Sequence, residues 1–138
     1  MKKITLIVLS IFLISLRLNA AEKEHPIEQR LARCTDANPT TAGMINCTEK
    51  AAEEWDAEMN RVYSALMKEY KGDDRAAALK ESQREWIVFR DSELKAIDRI
   101  YEHLEGTMYL PMRVYSRLRL TKERAELLAN YLDLAREQ

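Results

Sequence analysis

Apolar residues recur along the chain at three- and four-residue intervals, the rhythm of helices that bury one face. The first such stretch is short. Between Glu24 and Cys34, Ile27 and Leu31 stand one turn apart, and Pro26 fits a first helical turn. Thr35 to Thr41 holds Asp36, Asn38, Pro39 and Thr40, which reads as a loop. A long helix is predicted from about Ala42 to Lys71, with Thr41 as its N-cap and Gly72 as its stop. Its stripe is Ile45, Ala52, Trp55, Met59, Val62, Tyr63, Leu66 and Tyr70, and Gly43 lies in the first turn, where glycine costs least. A second long helix follows the cap Asp73 and runs to about Glu105, before Gly106. Its stripe is Leu79, Trp86, Leu94, Ile97, Ile100, Tyr101 and Leu104, with Phe89 at the edge. A third starts between Thr107, a possible cap, and Pro111, a possible first residue, and ends near Leu134. Tyr109, Leu120, Leu127, Leu128, Tyr131 and Leu134 form its stripe. Tight connections between long helices predict an all-α fold: an antiparallel three-helix bundle with a short N-terminal helix.

The start of the chain has a different pattern. Lys2 and Lys3 precede an almost unbroken apolar run from Ile4 to Leu16, and Leu18-Asn19-Ala20-Ala21 offers small residues to a signal peptidase. The run is short for a membrane span of about 20 residues. A secretory signal over 1–21 is therefore expected, leaving one helical domain over 22–138 in the periplasm or outside the cell, with no stable membrane insertion after cleavage. Lys2, Lys3 and Arg17 leave with the signal, so 22 basic residues fall to 19 against 23 acids. That balance argues against nucleic acid as a partner. Three glycines and three prolines suit long helices better than a turn-rich β fold. The two cysteines, Cys34 and Cys47, read as a disulfide in an exported chain, and His25 and His103 lack ligand spacing to them, so no metal is expected. No nucleophile–histidine–acid set and no glycine-rich phosphate loop is present, so neither an enzyme nor a cofactor is predicted.

The apolar stripes are broken by polar residues. On a helical wheel, Gln83, Arg90 and Glu93 fall within the apolar arc of the second long helix; Arg113, Ser116 and Arg124 do so on the third. A buried charge needs a partner. An interhelical network is therefore expected, with Glu93 pairing with Arg90, Arg113 or Arg124. It serves either to fix helix register or to build a cleft that recognises a ligand or partner.

These residues also carry a resemblance. Asn46-Cys47 with the run Glu58 to Leu66, then Leu79 to Asp91 with its Gln-x-x-Trp-x-x-x-Arg-Asp pattern, and Leu120-Thr121-Lys122-Glu123-Arg124 with Glu126-Leu127 resemble three ordered motifs of the LprI-type lysozyme inhibitor-like family. The likeness covers roughly Cys34 to Leu128. It implies a small, exported, helical bacterial protein that binds and inhibits lysozyme. The chain departs from the family at a second cysteine pair, whose positions hold Leu94 and Ser116. Without that crosslink, packing and the Glu93/Arg124 network would have to hold the seam between the second and third long helices.

Two regions are candidates for contact with a partner. The loop within the cysteine pair carries Asn38, Thr40, Thr41 and Met44, either as a recognition element or as a tether. The acids Glu53, Glu54 and Asp56, beside Glu49 and Glu58, form either an acidic patch toward a cationic lysozyme or a solvated face near a helix N-terminus. The function read from the chain is stoichiometric blocking of a peptidoglycan-degrading enzyme. The alternative is an envelope adaptor or immunity protein for another secreted or periplasmic partner. A third reading is a small-ligand carrier using Gln83, Arg90 and Arg124. Oligomeric state is not legible.

Overall fold

A computed structural model describes residues 24–137, so the expected signal segment lies outside the described residues. The described chain forms α1 (Pro26–Ala37), α2 (Thr41–Glu69), α3 (Asp74–Glu102) and α4 (Tyr109–Arg136). The all-α class and the Cys34–Cys47 disulfide are as expected, with the two Cα atoms 5.7 Å apart. None of the described helices is long and apolar enough to cross a membrane.

Helix ends follow local chemistry. Asp73 caps α3, its carboxylate accepting from the Arg75 N–H at 2.8 Å. Gly72 and Gly106 take φ of 86° and 112°, left-handed values that suit glycine where a helix must stop. Several expected ends move, and α3 stops at Glu102, short of the expected Glu105. Thr40 rather than Thr41 caps α2, its Oγ1 accepting from the Gly43 N–H at 3.0 Å. α4 begins at Tyr109 with no side-chain cap, so neither Thr107 nor Pro111 defines its start. The expected loop shrinks to residues 38–40. Its polar side chains turn back on the helix instead of breaking it: Thr35 Oγ1 donates to the Leu31 and Ala32 carbonyls, and Asn38 Nδ2 donates to the Cys34 carbonyl at 2.9 Å.

The helix directions follow from cross-helix pairs. Lys122 lies over Trp55 and Arg136 reaches Glu69, so α2 and α4 run the same way. Gln83 meets Arg124 while Asp98 meets Arg113 and Arg117, so α3 runs against α4. α1 runs against α2, with Arg30 on Glu54 and Cys34 on Cys47.

The α2–α4 seam is the longest and closest in the fold, and α3 touches α2 only sparsely. The core gathers Trp55, Met59, Val62 and Leu66 of α2 with Leu118, Ala125, Leu128 and Leu132 of α4, joined by Leu79 of α3 and Ile27 of α1. The α2 stripe is therefore as expected. The α4 stripe is not: Leu127, Tyr131 and Leu134 are exposed, and the buried face runs through Leu118, Ala125, Leu128 and Leu132. The helix turns that face to α2, its main partner, and leaves the bulkier stripe at the rim. On α3, Phe89 and Ile100 are likewise exposed, because no described helix covers its outer face, and Leu104, expected on the same helix, lies exposed in the turn beyond its end.

Candidate binding site

A polar cluster interrupts the core where α3 meets α4. Arg124 is buried, yet among the described residues no carboxylate reaches it. Its Nε donates to Gln83 Oε1 at 2.9 Å and its Nη2 to Ser82 Oγ at 3.1 Å. Desolvation pushes the guanidinium's pKa down, against the opposing pull of the Tyr131 and Tyr63 phenols. The Trp86 ring lies beside it, with Arg124 Cζ at 5.9 Å and Arg90 Cζ at 5.4 Å from its centroid. Arg90 also holds Asp91 Oδ1 at 2.8 Å.

The expected network therefore divides. Gln83, Arg90 and Arg124 do gather, around Trp86. Among the described residues, Glu93 pairs with none of the three arginines named for it, and Arg113 belongs to a different cluster. There Asp98 accepts from Arg113 Nε at 2.9 Å and from Arg117 Nη1 at 2.6 Å. The Arg117 hydrogen bond, opposed by burial and aided by Arg113, lowers the Asp98 pKa. Beside this pair, the Tyr101 and Ser116 hydroxyls share a hydrogen bond of 2.9 Å. The acid that holds this part of the α3–α4 seam is Asp98, one helical turn and a residue beyond Glu93 and on a different side of α3.

Two grooves flank α3. One, about 540 Å³, lies between α2, α3 and α4 and is lined by Glu49, Glu53 and Asp56 on one side and Arg90, Leu94 and Arg117 on the other. The second, about 770 Å³, lies between α2 and α3. Met59, Tyr63, Gln83 and Ile87 line it together with Lys80, Arg84 and Arg90, and Asp56 and Arg90 border both grooves.

The acids of α2 are thus split. Glu49, Glu53 and Asp56 face the first groove, whereas Glu54 is held by Arg30 Nε at 2.8 Å and Glu58 by Arg61. Glu54 belongs to the α1–α2 seam. In the α1–α2 connection, Asn38 and Thr40 are exposed but committed to capping bonds, and Thr41 and Met44 are half-buried.

A further cluster gives no sequence signal beyond single residues. Glu28 accepts from Trp55 Nε1 at 2.9 Å and from Lys122 Nζ at 2.8 Å, and the His25 ring lies 4.4 Å from that of Trp55. His25 also caps α1, Nδ1 accepting from the Ile27 N–H. Burial works against the Lys122 charge, but Glu28 outweighs it and the Lys122 pKa is raised. These residues clamp α1 across α2 and α4. Among the described residues, no group of histidine, cysteine and acid side chains is arranged to hold a metal.

The chain resembles known proteins over most of this structure. The family profile described as "Lysozyme inhibitor LprI" matches residues 34–128. The crystal structure of an uncharacterized protein from Burkholderia thailandensis is similar, with 30% sequence identity and a TM-score of 0.78, covering 84% of this chain and 58% of that one. The chain therefore spans less than two thirds of that protein's length. No curated protein matches the sequence.

Proposed function

We propose, from the premise that the chain belongs to the LprI family of lysozyme inhibitors, that it blocks a peptidoglycan-degrading enzyme by stoichiometric binding. This is a family of inhibitors rather than enzymes, its members are exported, and the Cys34–Cys47 disulfide suits an oxidising compartment. The observation that carries the reading is the family match, which extends from the disulfide through the Trp86 cluster to the middle of the last helix.

Lysozymes cleave glycosidic bonds with a pair of carboxyl groups set in an open cleft. A rigid helical body needs only to occupy that cleft to stop the reaction; it needs no chemistry of its own. The acidic edge of α2, Glu49, Glu53 and Asp56, supports approach to a cationic enzyme, since opposite potentials steer encounter and fix orientation. Asn38, Thr40, Thr41 and Met44, together with Glu54 on the neighbouring seam, offer a second contact surface on the same helix pair.

The test is a lysis assay with the oxidised protein lacking residues 1–21, run against chicken-type, goose-type and invertebrate-type lysozymes. Inhibition that saturates at one-to-one stoichiometry is expected for at least one type. No inhibition of any type at large excess, with capture of a different envelope protein instead, would transfer the fold to the adaptor or immunity reading.

A further inference from the structure

Arg124 fixes the orientation of Gln83. A guanidinium only donates hydrogen bonds, so the Gln83 oxygen must face Arg124 Nε, 2.9 Å away. The Gln83 amide nitrogen is thereby turned the other way, toward α2. There its contact is Met59 Sδ at 3.7 Å, a weak acceptor, and among the described residues its second N–H has no acceptor. Gln83 is more than nine-tenths buried, yet it lines the α2–α3 groove alongside Met59, Tyr63 and Ile87. A buried amide normally finds strong partners for its donors. Here the donor is polarised by a buried cation behind it and is left under-used at the floor of an open groove.

The charge around it has the same sense. Lys80, Arg84 and Arg90 line the groove against Asp56 and Glu81, and Arg124 adds an uncompensated positive charge beneath. Arg84 and Arg90 have neighbouring acids, whereas Lys80 has no ion-pair partner among the described residues.

We propose that this groove is a carboxylate slot: an aspartate or glutamate side chain of a bound protein partner accepts from Gln83 Nε2, with Lys80 and Arg90 at its flanks. The slot itself follows from this geometry; it rests on the inhibitor reading only for who carries the carboxylate, which would then be an acid of the lysozyme. Tyr63, Met59 and Ile87 supply the apolar wall that shields the contact from water.

Gln83→Glu separates recognition from support. It places a carboxylate against Arg124, which supports the fold at least as well as the amide, but it removes the donor and repels an incoming acid. The first measurement follows the Gln83 side-chain amide and Arg124 Nε–H resonances of the oxidised protein during titration with sodium acetate, against sodium chloride at equal ionic strength. A saturable shift with acetate alone is expected. The second compares the two proteins on a lysozyme that the parent inhibits. Gln83→Glu should weaken inhibition by about tenfold or more, the effect of losing a hydrogen bond to a charged group, with no fall in melting temperature. Acetate acting no differently from chloride, or undiminished inhibition by Gln83→Glu, overturns the slot and leaves the inhibitor reading intact. A shift with acetate in a protein that inhibits no lysozyme retains the slot and overturns the inhibitor reading. A response to a muramyl peptide but to neither acetate nor a protein assigns the groove to cell-wall fragments and overturns the proposal.

Discussion

Gly43 illustrates how much one missing carbon can matter. A Cβ at this position would lie 2.5 Å from the Asn38 carbonyl oxygen and 2.7 Å from Asn38 Cβ. The α1–α2 connection therefore closes directly over the first turn of α2, and helix propensity, which favours alanine, is the smaller effect. Gly43→Ala should destabilise the protein by about 1–3 kcal/mol, the usual cost of forced overpacking, read as a lowered urea midpoint. The sequence places Gly43 in a first turn but cannot reveal what approaches it. Gln83 and Arg124 are legible for the opposite reason: a polar residue inside an apolar stripe stands out in the sequence itself. Their partners do not, because a helical wheel gives direction without distance. Glu93 lies on the expected face of α3, yet Asp98 is the acid within reach of Arg113 and Arg117.

The same contrast recurs at the level of the helix. The turns after α2 and α3 and the start of α3 are marked by Gly72, Gly106 and Asp73, whose conformational and hydrogen-bonding preferences act locally and so are written in the sequence. The rotation of α4 is a tertiary choice. Its sequence offers two overlapping faces, one bulkier through Leu127, Tyr131 and Leu134, the other through Leu118, Ala125, Leu128 and Leu132. The second is buried because α2, not α3, is the main neighbour. Leu132→Ala should therefore cost about 2–5 kcal/mol, as core truncations do. Leu134→Ala, at a residue 58% exposed, should change stability by no more than about 0.5 kcal/mol. Chemical denaturation of the two variants decides between the faces; equal losses would restore the bulkier stripe to the core.

Across the whole molecule, cohesion is uneven. α1, α2 and α4 are joined by the disulfide, by the Glu28–Trp55–Lys122 clamp and by most of the core. α3 joins that core mainly through Leu79 and Trp86, and polar contacts tie it to α4, among them Asp98 with two arginines. Because Arg117 lowers the Asp98 pKa below its ordinary 3.8, the folded carboxylate binds its proton less readily than the unfolded one. Its stabilising contribution is complete above that ordinary value and is lost as pH falls through the lowered one. Thermal unfolding from pH 6 downward should show a steeper acid decline for the parent than for Asp98→Asn, which starts less stable and lacks this titration. Parallel curves would remove Asp98 from that role.

α3 also forms a wall of both grooves, and its ends are turns at Gly72 and Gly106. The two openings share this wall, so its position bears on the width of both. A small swing of α3 about its glycine ends would alter the acidic groove and the groove floored by Gln83 together. A ligand that pinned α3 from one groove would therefore limit the other as well, through the wall they share.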